Sequence, residues 1–375
     1  MLNEEQRMLK DMASEWVRDR LPVTALRSLY DHGGGGRSGS AGHDPDAWAE
    51  MAQMGWCGII VPQEFGGSDF GYRSLGLVLE ELGRTLAASP LLSSALGAAA
   101  ALRLGGSAEQ QAEFLPRIAD GSLIGTLAID EGAHHAPDKV GLQAEASSDG
   151  WTLNGIKRPV QDGMIAQLAV VAARTGEGTT LFLVEGDRPG LSREPLDQVD
   201  ARVPALWRFK DAKLDLDAVL GKVGEGAALL DAIRDRAAVG MAAEMLGSAT
   251  QAFETTVDYL KTRVQFGALI GSFQALQHRA ADLFGELQLT RSAVEEALTA
   301  IDEGDPALPR LASLAKAIAG ETVHRISAQM VQLHGGIGMT HEHDAGLYLK
   351  RARVAEQCYG STAWHRDRWA RLNGY

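Results

Sequence analysis

This sequence predicts an α+β protein in three parts, helical, then β, then helical again, and three observations carry that reading. Its 375 residues exceed the length at which a single hydrophobic core stops growing. Apolar residues recur at helical spacing towards both ends, while the middle breaks into short β-branched and aliphatic runs separated by turns. With 45% hydrophobic and 23% charged residues, the chain has the composition of one that buries a large core.

The first part, residues 1–125, is read as helical because Met8, Met12, Trp16 and Leu21 form one apolar series and Trp48, Met51 and Met54 another. Between them DHGGGGRSGSAGHD (31–44) is too rich in glycine and serine for a helix or strand, so a surface loop is expected. The second part, 126–216, carries the strand-like runs GWTLNGIK (150–157), LAVVAA (168–173) and TTLFLVEG (179–186). The third, 217–375, returns to helix in long segments, among them an alanine-rich stretch at 235–263 that favours close helix packing.

A net charge of −13 and a sequence pI near 5.3 argue against a nucleic-acid partner, which needs a basic face. Cys57 and Cys358 are too few for a disulfide framework and lack zinc-site spacing, so a reducing compartment is expected. The opening MLNEEQRMLKDMASEW has no unbroken apolar region of the secretory kind, and no run approaches the roughly 20 apolar residues of a membrane span. The expectation is a cytoplasmic protein without membrane insertion. Neither His134–His135 nor His341–Glu342–His343 offers three or four ligands at zinc spacing, and no metal is assigned.

Four stretches, in this order, together resemble the acyl-CoA dehydrogenase family over essentially the whole chain. They are WAEMAQMGWCGIIVPQEFGGSDFGY (48–72), YLKTRVQFGALIGSFQALQHRAADL (259–283) with its Arg-x-Gln-Phe-Gly core, QLHGGIGMTHEHDAGLYLKRAR (332–353) and EQCYGSTAWHRDRW (356–369). The resemblance implies an N-terminal helical domain, a middle β-barrel or sandwich domain and a C-terminal four-helix bundle. It also implies FAD as cofactor and α,β-dehydrogenation of an acyl-CoA thioester as the reaction.

That reaction removes a proton from the α-carbon and a hydride from the β-carbon, so it needs a carboxylate base in a dry pocket and a bound flavin. In the family the base is a glutamate at the place held here by Gly360, or at an alternative place that corresponds to Ala237. Neither residue can accept a proton. The nearby acids Asp235, Glu244 and Glu356 fall on neither position and are read as surface or ion-paired carboxylates. The segments that in the family hold the flavin ring correspond to IDEGAHH (129–135) and KRPVQD (157–162), where Asp130 replaces a threonine and Pro159, Val160 and Gln161 replace an aromatic segment. Only Glu131 matches there. A carboxylate such as Asp130 would disfavour a flavin that becomes anionic on reduction.

The residues that in the family reach across a dimer to the neighbour's FAD are kept: Arg263, Gln265, Phe266 and Gln274, then Gln332, Gly335 and Gly336, with Thr362 in the last motif. Arginine offers a planar fork of donors to a pyrophosphate, and paired glycines let backbone amides approach phosphate. The resemblance therefore implies a base-deficient subunit of a heteromeric acyl-CoA dehydrogenase, with a paralogous subunit supplying the glutamate. Tetramers of this type, dimers of dimers, are associated with bulky steroid-type CoA esters and pass electrons to an electron-transfer flavoprotein. Two other readings stay open at this point: a self-sufficient homotetramer using Glu244 or Glu356, and a non-catalytic scaffold that kept only the fold.

Overall fold

The computed structural model describes residues 2–31 and 42–375, and residues 32–41 of the glycine-rich stretch lie outside them. Helices α1 (Glu4–Arg20), α2 (Val23–Asp31), α3 (Pro45–Gln53), α4 (Gly71–Arg84), α5 (Ala99–Gly105) and α6 (Ala108–Ala119) come first. The strands β1 (Gly125–Ala128), β2 (Gln143–Ser147), β3 (Gly150–Val160), β4 (Leu168–Thr175), β5 (Gly178–Glu185), β6 (Leu191–Pro195), β7 (Ala205–Leu214) and β8 (Val219–Leu220) follow. Then come α7 (Gly226–Thr262), a hairpin of β9 (Val264–Gln265) and β10 (Ala268–Leu269), and helices α8 (Gln274–Glu303), α9 (Leu308–His334), α10 (Ala345–Gln357) and α11 (Thr362–Leu372).

Local sequence explains the ends. Asn3 and Gln6 form a capping box on α1, Ser107 and Gln110 another on α6, and Asp44 accepts from the amides of Asp46 and Ala47 at the start of α3. Each cap satisfies amides that the helix itself leaves without a partner. The apolar series expected of α1 is divided. Ala13, Val17 and Leu21 are buried, whereas Met8 and Met12 stand 59% and 43% exposed, because the buried edge of α1 runs through Ala13 and Val17 and not through the methionines.

The described residues fall into two compact units, one comprising 29–75 and 88–237 and the other 1–28, 76–87 and 238–375. In the first, a sheet runs in the order β6-β7-β3-β2-β4-β5-β8, with β1 parallel to β4. It is open at β6 and β8, which do not pair, so of the barrel or sandwich expected for the middle domain the closed barrel is excluded. β2 and β4 pair only at Gln143 with Arg174. Side chains from β2, β3 and β7 meet those from β4 and β5 in one core, where the Trp151 and Phe182 rings stand edge to face at 5.3 Å.

In the helical unit, α4 and α7 cross at backbone contact. A Cβ on Gly83 would lie 2.0 Å from the Glu244 carbonyl oxygen, and one on Gly247 would lie 1.8 Å from that of Glu80. Ser248 Oγ donates across the crossing to the Gly83 carbonyl at 2.9 Å. Further out, Thr290 of α8 donates to Thr322 of α9 at 2.8 Å, and Arg291 of α8 binds Glu80 of α4 at 2.8 Å. No helix among the described residues is long and apolar enough to cross a membrane.

Gly83→Ala and Gly247→Ala should each destabilise the protein by about 3 kcal/mol, the upper range for overpacking, because the obstacle is backbone. Gly285→Ala in α8, where an added Cβ meets nothing within 4 Å, should instead stabilise by about 0.5–1 kcal/mol. Urea denaturation of the three variants checks this, and equal effects at Gly285 and Gly247 would contradict the crossing.

Candidate functional site

The turn after α10 carries Gly360, and its geometry is built around the missing side chain. Tyr359 and Gly360 both have positive φ, 57° and 110°. A Cβ on Gly360 would lie 2.8 Å from His365 Nε2 and 2.9 Å from the Trp364 ring. Lys316 of α9 holds this turn from beneath. It is wholly buried, and its ammonium donates to the Glu356 carbonyl at 2.9 Å and the Gly360 carbonyl at 3.0 Å. Burial pulls the Lys316 pKa down to about 8. From the other side His365 of α11 donates through Nε2 to the Tyr359 carbonyl at 3.0 Å. Because a carbonyl only accepts, the neutral ring carries its proton on Nε2, leaving Nδ1 facing Ser313 Oγ at 3.4 Å.

The acids that the sequence offers in place of a base are engaged. Glu244 and Arg351 are 4% and 2% exposed, and Glu244 Oε1 accepts from Arg351 Nε at 2.9 Å and Nη2 at 2.7 Å. Glu356 binds Arg353 at 2.8 Å. Ala237 is completely buried in α7, and Asp235 is buried nearby in sequence.

The segments corresponding to a flavin-ring pocket belong to the sheet unit. There Glu131 accepts from Lys157 Nζ at 2.6 Å and from the amides of Gly141 and Leu142 at 2.7 and 3.0 Å. Asp130 binds His135 Nδ1 at 2.8 Å. Pro159 follows a cis peptide, and the Gln161 carbonyl accepts from Thr126 Oγ1 at 2.6 Å. Both oxygens of Glu131 and one of Asp130 are thus already engaged within the segment.

The retained contact residues are arranged differently. Gln265 pairs with Ala268, and Phe266 and Gly267 turn the hairpin with positive φ at both residues, the type I′ form that matches strand twist. Phe266 is 94% exposed, a rare state for an aromatic residue in that conformation. Arg263, Gln265 and Gln274 are exposed beside it, and no carboxylate among the described residues pairs with Arg263. A small cluster of Leu260, Ile270 and Leu333, with Leu276 and Ala280 against it, brings this arm to the end of α9, where Gln332, Gly335 and Gly336 are also exposed. An added Cβ at Gly335 or Gly336 would meet nothing, and Gly335 has φ +66°. The structure thus unites seven of the eight candidates on one exposed surface, on which the Gln265 amide already donates to the Val264 carbonyl at 3.0 Å and the Arg263 guanidinium has no carboxylate partner among the described residues. The eighth, Thr362, lies in the first turn of α11 with a buried Oγ1 that has no partner among the described residues. Uncommitted donors of this kind fit the phosphates and hydroxyls of FAD.

Two buried residues behind these features are visible in the residue order but not assigned from it: Lys316, under the Gly360 turn, interrupts the apolar stretch LASLAKAIAG, and His334 directly precedes the glycine pair.

Profiles of the acyl-CoA dehydrogenase N-terminal and C-terminal domains match residues 3–122 and 224–372. The acyl-CoA dehydrogenase IpdE2 of Mycobacterium tuberculosis is 33% identical over 359 residues, 94% of this chain and 92% of that protein. Among solved structures, a chain of the ChsE4-ChsE5 complex from Mycobacterium tuberculosis superposes with a TM-score of 0.90 at 27% identity, covering 100% of this chain and 99% of that one. A chain of the Tcur3481-Tcur3483 steroid ACAD does so with a TM-score of 0.89 at 30% identity, covering 99% and 98%.

The buried ammonium gives a pH test. Lys316 has a folded pKa near 8, below its unfolded value of about 10.4, so the unfolded chain binds more protons between the two and folding stability rises with pH there. The wild-type chain should gain up to about 1.4 kcal/mol per pH unit relative to Lys316→Met across that window, read from paired urea titrations. Parallel pH profiles for the two proteins would show that Lys316 is not held as described.

Proposed function

Because the chain belongs to the acyl-CoA dehydrogenase family of FAD-binding oxidoreductases, we propose that it is the base-deficient subunit of a heteromeric enzyme that desaturates a bulky, steroid-type acyl-CoA. The observation that carries this reading is Gly360. The family's base position is occupied by a residue without a side chain, in a backbone conformation that leaves no room for one. Ion pairing of Glu244 and Glu356 supports it further, since both carboxylates are already held by an arginine, and releasing Glu244 from the buried Arg351 would leave a buried charge uncompensated.

FAD, when bound, accepts the two electrons of the desaturation. This chain's part is to hold it for a neighbour. Arg263 would offer its guanidinium to the pyrophosphate, Gln265 and Phe266 would shape the adenosine side, and Gln274 would continue that surface. Gln332 and the amides of Gly335 and Gly336 would offer donors to further phosphate oxygens. The paralogous subunit brings the glutamate that takes the α-proton and the rest of the ring pocket. The steroid-type substrate is supported by the similarity to the steroid ACAD chain. By family resemblance the assembly is a dimer of dimers in the cytoplasm, with an electron-transfer flavoprotein as acceptor.

Purified alone, the chain should be colourless, and co-purified with its glutamate-bearing paralogue it should carry about one FAD per pair, read from the flavin absorbance and the mass of the complex. One FAD per protomer in the single chain would overturn the proposal. In the complex, Arg263→Ala should weaken FAD retention about thirtyfold, the equivalent of about 2 kcal/mol for a charge-assisted contact. Gly360→Glu should give the chain alone no dehydrogenase activity, because the new side chain collides with His365 and Trp364.

A further inference from the structure

Beside the exposed Gly335–Gly336 turn three rings pack in a row, tilted 30° and 46° from one another. Tyr259, on the last turn of α7, lies with its centroid 4.3 Å from that of His334 at the end of α9, and His334 lies 4.3 Å from His343 just before α10. The Tyr259 hydroxyl also points to the His334 carbonyl at 3.5 Å. The two histidines have opposite hydrogen-bond requirements. His334 Nδ1 donates to the Met330 carbonyl at 2.7 Å, which a neutral or a charged ring can do. His343 Nδ1 accepts from the Ala345 amide at 3.0 Å and satisfies one of the free amides at the start of α10, which only a ring unprotonated at Nδ1 can do.

The surroundings disfavour a second positive charge. From α2, Arg27 reaches His341 Nδ1 at 3.0 Å and Asp344 Oδ1 at 2.5 Å. His343 lines two clefts of about 180 and 370 Å³; His341 and Lys350 face it across the first, and Arg18, Arg84, Glu342 and Tyr348 across the second. Burial lowers the pKa of both histidines. For His334 the neighbouring His343 adds to the effect; for His343, Asp344 opposes it and Arg27 adds to it.

We infer that His343, packed against His334, is a positioning residue that seats the Gly335–Gly336 turn, and that the seat holds only while His343 is neutral. Protonation puts hydrogen on Nδ1, removes the acceptor for the Ala345 amide and frees 335–345 from α10. The seated form binds fewer protons than the open form, so opening is favoured as pH falls below the ordinary histidine value of about 6.5. The consequence for flavin contact rests on the half-site reading above; the seat itself does not.

Hydrogen exchange of the 335–345 segment in the full chain without FAD, at pH 7.5 and 5.5 and corrected for intrinsic rates, tests this. The wild type should open about tenfold more at the lower pH, the factor that linkage to a histidine of ordinary open-state pKa gives. His343→Asn supplies an acceptor for the amide two residues on that does not titrate, and should stay protected at both values. His343→Phe keeps a ring and loses the acceptor, and should be open at both. Equal protection of the wild type at the two pH values, or an Asn variant that follows the wild type, would overturn the inference. So would exchange that rises equally in α7 residues 238–250, which would mean global acid unfolding. A flavin bound by the single chain would sink the half-site reading and leave this result standing.

Discussion

The backbone contact between α4 and α7 is the constraint on which the helical unit depends. Gly83 lies on the Glu244 carbonyl and Gly247 on the Glu80 carbonyl, so the crossing is closer than any side chain would permit. Helices that approach this far leave no space to separate the polar groups they carry. Glu80 and Glu244 are consequently buried, and a buried carboxylate must be paired. Lys10 and Arg291 meet Glu80, and Arg351 meets Glu244. Glycine packing thus commits two acids to structure before chemistry is considered.

That commitment extends along α10. Arg351 fixes the middle of this helix against α7, and the turn that follows is caught between Lys316 below and His365 beyond. The turn is determined from both sides, which is what a conformation with positive φ at Tyr359 requires if it is to persist. A turn fixed from both sides in this way is the opposite of a loop that has merely decayed. Random loss would leave a loose loop or a stray polar group, whereas here each carbonyl from Glu356 to Gly360 that the clamp touches has a donor.

Much of this was legible in the sequence, and the parts that were not share a cause. The strands at β3, β4 and β5 and the helical bundle could be read because each depends on local pattern. Which face of α1 meets the core could not, because the 3.6-residue period marks a stripe without saying which edge of it is buried, and Met8 and Met12 lie on the exposed edge. Strand composition likewise left barrel and sandwich open, because closure is a property of pairing between the outer strands and not of any one strand. Lys316, Tyr259 and His343 were missed because their partners are 40 or more residues away in the chain, or are rings whose packing no spacing rule encodes.

The two surfaces that the resemblance ties to FAD differ in a way that energy alone makes informative. Around Asp130 and Glu131, three of the four carboxylate oxygens are met by a lysine, a histidine or an amide, so the acids there are largely engaged within the chain. On the arm, Phe266 is held almost fully in water in a conformation that costs on the order of 1 kcal/mol, forgoing about 2 kcal/mol that burial of its ring would contribute. Arg263 stands beside it without a counter-charge, and the glycine pair offers bare amides. A chain that satisfies one set of groups internally and leaves the other unmet has its unmet interactions directed outward, and a flavin held in a second subunit would meet them.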